Sequence, residues 1–534
     1  MQIDVITARE ELNDLRQNWD DLYEKDPEAQ FFVSWTFLSS YVRRFEGTWS
    51  ILAARPGPKG SPYVALLPLR MRTRLNRKTG LCRNEINLAG NYASEYAGIV
   101  CAPEFAERAI PALAKHLLKL PWAKLHLENL RMSEPRRRLL ADNLADKRLT
   151  AHKMERVNKA DNVDNCICTA IDLPGDWDTY LEQKTSSNTR QKIRRFLRKL
   201  DGSDEFRITH ADASTIDRDI GIILDMWRIK WGARKGDTLP GLIRSNRKTF
   251  KDAFDSGSLF LPILWRGDKP LGGLAILVDP VKKAMLFNLA GRDETANDMP
   301  PGLVLHAYCI RRAIEQGFRV YDFLRGNEPY KYAFGVDVSA IHCVLVKTIT
   351  GRNLGDLLDP RSLGGVLEEA TKFHKEGNLA NAEIGYRQIL DVDPRHARAL
   401  YGLGQLLAAK ADHWSAANTF ALLVEVSPNS VKAWSRLAIE YQALSRHAEA
   451  AQAFRKVLEL NPELPGAQYG LGRSLAELRQ IDEAAKVLSA VQEKADAVLR
   501  AKTRIQLQKL KNDASPCYIK LQPAKVPMLE RLEA

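Results

Sequence analysis

No run of eighteen apolar residues occurs anywhere in the 534-residue chain, so a membrane-spanning helix is excluded on length grounds. Closely paired cysteines are nearly absent too: the seven cysteines are scattered, and only Cys166 and Cys168 lie near one another. One intervening residue is poor spacing for a zinc site, which usually draws on two pairs. No metal is therefore expected, and the thiols read as reduced packing residues. The opening stretch MQIDVITAREELNDLRQNWDD is amphipathic and acidic where a secretory leader carries a basic segment and then an apolar one. The expectation is a cytoplasmic chain whose only route to a membrane is peripheral contact. An acidic excess is lacking as well, since 79 Lys and Arg stand against 66 Asp and Glu, a formal charge of +13. That balance favours anionic partners, whether cofactor phosphates, lipid head groups or nucleic acid, without choosing among them.

What is present is ordinary for a globular protein, with 45% apolar and 27% charged residues. At roughly 100 to 200 residues per domain, the length calls for three or four domains.

The clearest signal is internal periodicity. Pro394, Pro428 and Pro462 recur at intervals of 34 residues, and Ala382, Ala416, Ala450 and Ala484 share their register. Tyr386, Phe420, Phe454 and Leu488 follow those alanines by four positions. A period of 34 is that of the tetratricopeptide repeat, a pair of helices whose small residues permit close approach while a large one fills the gap against the neighbour. The segment 363–500 resembles that family as four units, which implies a superhelix whose concave face holds a peptide or partner protein. Its first unit has Glu369 where the others carry leucine, as a capping unit does. Pro516, Pro523 and Pro527 leave no helical periodicity, so 510–534 is expected to be a flexible tail.

Upstream, apolar strand-like runs alternate with amphipathic helices, which argues for an α+β architecture. Residues 50–54 and 63–69 read as a strand pair, 106–119 as a helix and 123–128 as a strand. A second cycle places helices at 177–184 and 187–200, strands at 259–265, 271–278 and 284–290, a helix at 303–316 and a strand at 319–324.

The run YDFLRGNEPYK at 321–331, with Ala290-Gly291-Arg292-Asp293 and Pro301 to Leu305, is similar to acyltransferases of the CelD type. These belong to the Fem-related, double-GNAT group. Phe31 to Trp35, Leu88-Ala89-Gly90, Ser94-Glu95-Tyr96 and Ser187 to Arg195 match it too, with Glu95 where that group tends to carry Asp. The resemblance implies two GNAT-like halves with mixed, mostly antiparallel sheets, at 1–160 and 161–350. It also implies acyl transfer from acetyl-CoA or a longer acyl-CoA.

In that fold the pyrophosphate sits where the fourth strand runs into the next helix, because free N–H groups and the helix dipole favour negative charge there. Here the junction is Met299 to Leu303, so Pro301, Gly302 and Leu303 are cofactor-binding candidates, with Arg292, Arg325 and Lys331 as cations. The usual Gln/Arg-x-x-Gly-x-Gly/Ala signature is missing. Acyl transfer needs a base for the attacking nucleophile and a donor for the developing charge. Glu328 and His306, the latter on the first turn of the next helix, are the candidate bases. Tyr330 is a candidate proton donor to the leaving thiolate, and Asp322 and Asp293 are weaker choices.

Residues 187–200 form an amphipathic basic helix, with Ser187 or Asn188 as its expected cap. Arg190 and Arg194 on it, and Trp231 beyond it, are candidate acceptor-binding residues. Its cations would suit an anionic membrane surface or a CoA phosphate; no nucleic-acid motif supports RNA. The expected reaction is N- or O-acylation of a sugar, polysaccharide precursor, amino acid or lipid-like acceptor. The alternatives are an aminoacyl-tRNA-dependent transferase and a non-catalytic repeat scaffold in polysaccharide biosynthesis or secretion.

Overall fold

The computed structural model describes residues 1–514 apart from Glu46, Asn91, Tyr92, Ala160 and Asn297. The expected tail therefore lies outside the described residues from position 515 onward. The chain divides into two compact units, Met1–Arg74 with Arg83–Ser362, and Leu75–Cys82 with the chain from Leu363.

The first unit begins with β1 (Gln2–Ile6), α1 (Arg9–Asp14), α2 (Arg16–Lys25), α3 (Trp35–Arg43), β2 (Trp49–Arg55), β3 (Ala65–Leu75) and β4 (Cys82–Leu88). Then come β5 (Val100–Cys101), α4 (Ala106–Leu117), β6 (Lys124–Leu130), α5 (Glu134–Leu144) and β7 (Leu149–Lys153). A ribbon of β8 (Val157–Asn158) and β9 (Val163–Asp164) leads to β10 (Ile167–Asp172), α6 (Trp177–Lys184), α7 (Ser187–Asp201), β11 (Phe206–His210), α8 (Ile216–Lys235) and α9 (Leu239–Asp255). The unit continues with β12 (Leu259–Phe260), β13 (Pro262–Arg266), β14 (Lys269–Asp279), β15 (Ala284–Arg292), α10 (Pro301–Glu315), β16 (Val320–Arg325), β17 (Asp337–Ala340) and β18 (His342–Thr348).

These strands build two sheets of matching topology, β1-β2-β3-β4-β6-β18-β7 and β11-β13-β14-β15-β16-β10-β17. Each has an antiparallel meander and then one parallel pair joined by a crossover helix, α4 between β4 and β6, and α10 between β15 and β16. Pro301 at the first position of α10 pre-sets the helical φ, and Val304, Leu305, Ile310 and Ala313 bury its inner face. One strand crosses from the second half to the first sheet. The boundary at 350 placed His342–Thr348 with the second half, but β18 pairs with β6 and β7 in the first sheet. A short apolar strand carries no mark of which open edge it will join, because any edge offers the same row of N–H and C=O groups. The cap of α7 is also shifted: Ser186, not Ser187 or Asn188, accepts from the Thr189 N–H at 3.3 Å.

The second unit contains α11 (Leu363–Lys375), α12 (Leu379–Val392), α13 (Ala397–Ala409), α14 (His413–Val426), α15 (Val431–Ala443), α16 (His447–Leu460), α17 (Pro465–Glu477) and α18 (Ile481–Lys494). Their starts repeat at the expected interval, and α19 (Ala497–Ala514) packs on α17 and α18. Glycine is required at the close approaches: a Cβ on Gly404 would lie 2.7 Å from the Phe420 ring, and one on Gly472 would lie 2.5 Å from Leu488.

Candidate functional site

β15 and β16 pair only over Ala284–Leu286 with Val320–Asp322. Both then continue, to Arg292 and Arg325, without pairing to each other, so a wedge opens between them. The first sheet has the same parallel pair, Glu85–Asn87 with Lys124–His126, but its wedge is plugged. Ala97 donates to the Asn129 carbonyl at 2.8 Å and accepts from the Arg131 N–H at 3.0 Å. No backbone bond among the described residues joins 293–300 to Phe323–Arg325 in this way. Among the described residues, the second half therefore leaves its wedge without a backbone bridge.

Three features line it. The register of β14 against β15 slips between Ala275–Leu289 and Ile276–Phe287, leaving Asn288 as the extra residue of a bulge. A bulge releases backbone groups from the ladder and re-aims a side chain, as bulges beside active sites do. At the far end α10 begins at Pro301, so the N–H groups of Gly302 and Leu303 have no partner within the helix. Beside them stands Arg292: a Cβ on Gly302 would lie 3.4 Å from its Nη1. Arg292 binds Glu294 at 2.8 and 3.0 Å, and Glu294 meets Lys230 of α8 at 2.9 Å.

The candidate residues divide clearly. Tyr330 is exposed at the mouth, its ring 6.0 Å from that of His306. Burial of its hydroxyl and then the Glu328 carboxylate push this phenol above its ordinary value, against the charge of Arg292. It therefore stays protonated at neutral pH and is available as a donor. Glu328 is half-buried, folded over Gly326, and meets Lys331 Nζ at 2.8 Å.

Four other candidates are committed elsewhere. His306 lies on the second turn of α10, not the first, and is 2% exposed. It shares a 2.9 Å hydrogen bond with Tyr321 Oη among Phe287, Phe323 and Phe334. Burial first, then Lys331 and Arg292, depress its imidazole to about 3. His306 is thus buried among aromatic rings with Nδ1 engaged by Tyr321, as a wall of the site. Asp322, also buried, accepts from Tyr96 Oη at 2.8 Å, Arg131 Nη1 at 2.8 Å and the Leu324 N–H at 2.7 Å. Arg325 gives Nε to Glu95 and Nη1 to Asn129. Lys331, buried, donates to the carbonyls of Arg325 at 2.8 Å and Gly326 at 3.0 Å and pairs with Glu328. Both cations are thus engaged by protein groups, Lys331 meeting Glu328 Oε2 as an ion contact without an aligned hydrogen bond.

Of the acceptor candidates, Arg194 pairs with Asp178 at 3.1 Å. No hydrogen bond or ion pair among the described residues joins Arg190 or Arg194 to the wedge. Trp231 is half-buried with Lys230, Arg234 and Lys235 around its ring, and of these Lys230 pairs with Glu294. Asn288 was missed, although one polar residue interrupting Met285-Leu286-Phe287 and Leu289-Ala290 was a visible signal. Among the described residues, no group of three or more His, Cys, Asp or Glu could hold a metal ion, and no helix is long and apolar enough to cross a membrane.

Residues 187–332 match the family described as an acetyltransferase (GNAT) domain, and 367–430 and 441–505 match tetratricopeptide repeat families. No curated protein matches the chain. Among solved structures it is similar to FemX, at 12% identity over 65% of this chain and 98% of that one, with a TM-score of 0.45. A conserved protein of unknown function from Bacteroides thetaiotaomicron VPI-5482 is 12% identical over 65% of this chain and all of its own, with a TM-score of 0.41. YrrB, described as a TPR protein with an unusual peptide-binding site, is 21% identical over 28% of this chain and 75% of its own, with a TM-score of 0.26.

Proposed function

We propose that this chain, which carries a GNAT-type acetyltransferase domain followed by tetratricopeptide repeats, is an acyl-CoA-dependent transferase. Its acceptor would be an amine or hydroxyl of a sugar, polysaccharide precursor, amino acid or lipid-like molecule. The observation that carries this reading is the open wedge between β15 and β16, ending at the N-terminus of α10, where the first half has its counterpart plugged by Ala97.

The residues fit a CoA thioester. The helix dipole and the N–H groups of Gly302 and Leu303 favour a pyrophosphate, and the side chain that stands over Gly302 is the cation Arg292. When bound, the thioester supplies the activated acyl group. Glu328, held by Lys331, receives the proton of the attacking nucleophile, and Tyr330 Oη serves as the donor on the opposite side of the reaction. Backbone groups released at the Asn288 bulge orient the acyl carbonyl.

The repeats would recruit a protein partner. A groove of about 650 Å3 among them presents Lys375, Arg398 and Lys432 beside Tyr386 and Tyr401, which suits an acidic peptide.

The test is a thermal-shift panel on the whole chain with acetyl-CoA, a long-chain acyl-CoA, free CoA and bulk tRNA at two salt concentrations. A ligand that binds only the folded state raises Tm by mass action. Stabilisation by a CoA species that weakens in Gly302→Trp and in Arg292→Ala is the expected result. Stabilisation by tRNA alone, falling steeply with salt, would replace acyl-CoA with an aminoacyl-tRNA donor, and no response to any of them would favour the scaffold.

A further inference from the structure

A cavity of about 540 Å3 opens in the first half, between α5 and one face of β6, β18 and β7. Leu140 and Leu144 of α5 and Val344 and Val346 of β18 form its apolar walls. Close packing is the rule between a helix and the sheet beneath it. Here Ala151 of β7 leaves room at the exposed edge.

The groove is polar at one end only. β7 runs antiparallel to β18, with Lys153 opposite Val344 and Leu149 opposite Thr348, so Lys153 lies at the His342 end. Arg137, from the first turns of α5, is at the same end, and its charge and that of Lys153 add to burial in holding the His342 imidazole below its ordinary value. Glu134 opposes them weakly and is itself ion-paired with Arg138. Among the described residues neither Arg137 nor Lys153 has an ion-pair partner, and Arg137 Nε is buried without a hydrogen bond. At the other end Asp146 is neutralised by Arg148 at 2.8 Å. Two cations and an imidazole gathered beside an apolar wall repel one another and lack an anion. From His342 to Val346 is four strand steps, ~13 Å, the length of an extended alkyl chain of about ten carbons.

We infer that this groove is a binding site for a single-chain amphipathic anion of that length. Its carboxylate or phosphate head lies among Arg137, Lys153 and His342, and its chain runs along Leu140, Val344, Val346 and Leu144. Pockets of this size, apolar with a few convergent polar groups, are the ordinary form of small-molecule sites. The site belongs to the first sheet, and its occupancy does not depend on acyl transfer at β15 and β16.

Calorimetry on the whole chain with decanoate and decyl phosphate, each below its micelle concentration, tests it, with butyrate and decanol as controls. One or both anions should bind at a single saturable site, the tighter one identifying the head group. Butyrate and decanol should each be at least about tenfold weaker. Ala151→Trp, which fills the groove from an exposed strand position, should abolish binding, and Lys153→Glu should weaken it about tenfold, with Tm unchanged in both. Absence of saturable binding, decanol binding as tightly as decanoate, or full binding by folded Ala151→Trp would each overturn the assignment.

Discussion

Arg325 donates through Nε to Glu95 at 2.6 Å, joining the 321–331 motif to the Ser94-Glu95-Tyr96 motif of the other half. Asp322 repeats the connection through Tyr96 and Arg131. The two halves are therefore braced where the wedge opens. Leu324, between these residues, is held at φ 61°, a conformation that costs a leucine about 1–3 kcal/mol and persists only where its surroundings impose it.

Arg325→Ala should accordingly cost stability rather than donor affinity. It leaves the half-buried Glu95 carboxylate and the buried Asn129 Oδ1 without their arginine donor, a loss of roughly 1–3 kcal/mol. Arg292→Ala, at an exposed position beside Gly302, should do the reverse, weakening CoA binding about tenfold with little change in stability. Chemical unfolding and calorimetry with CoA on both variants check the pair. Loss of CoA affinity in a fully stable Arg325→Ala would return that arginine to the cofactor site.

Tyr330→Phe removes one hydroxyl from the mouth of the wedge and nothing from the core, since Tyr330 is exposed. A lost proton donor lowers kcat by roughly a hundredfold or more, with KM for the acyl donor close to unchanged. Steady-state kinetics separate the two parameters. A raised KM with intact kcat would make Tyr330 a binding residue instead.

The repeats were legible because a period of 34 residues needs no tertiary knowledge, and each α11–α18 start keeps that register. α10 and its entry at Pro301-Gly302 were legible for a similar reason, since proline and glycine mark backbone needs that are local. Roles of single polar residues were not. Arg325, Lys331, Asp322 and His306 occupy a motif that reads as catalytic, yet their partners lie on Glu95, the loop carbonyls, Arg131 and Tyr321. Tyr321 and the loop carbonyls lie within the 321–331 run itself and Glu95 in another segment already singled out, but nothing in spacing ties 95 or 131 to 322 and 325. The exchange of β18 into the first sheet is illegible on the same ground.

The turn inside each repeat carries a hidden cost. Gly377, Ala411, Ser445 and Arg479, 34 residues apart, all have φ between 58° and 77°. Only the first is glycine, and a side chain in the left-handed region costs roughly 1 kcal/mol. Ala411→Gly, exposed and in a turn, should therefore stabilise the repeats by about 0.5–1 kcal/mol, whereas Gly377→Ala should destabilise them by a similar amount. Thermal unfolding of the full chain, followed by circular dichroism for the helical transition, distinguishes these outcomes. A destabilised Ala411→Gly would mean that glycine's added freedom in the unfolded chain outweighs the relieved strain.

His126 sits between two carboxylates, with Nδ1 3.2 Å from Glu128 and Nε2 3.5 Å from Glu85, the latter an ion contact rather than an aligned hydrogen bond. The hydrogen bond to Glu128 and the contact with Glu85 raise its imidazole above 6.5, against burial. Burial would raise Glu85, but His126, Lys124 and Arg83 bring it down to about 2. A raised histidine contributes stability that is complete below its unfolded value and is lost as pH climbs through the folded one. The lowered carboxylate contributes above its unfolded value and loses that contribution as pH falls. Their mutual stabilisation is therefore greatest between about pH 4.5 and 6.5, the ordinary values of the two groups. Melting temperatures of the wild type and His126→Asn should differ most near pH 5.5, and the difference should shrink as pH climbs above 6.5. A difference that stays constant across that range would show that His126 acts there through packing and neutral hydrogen bonding, with no contribution from its charge.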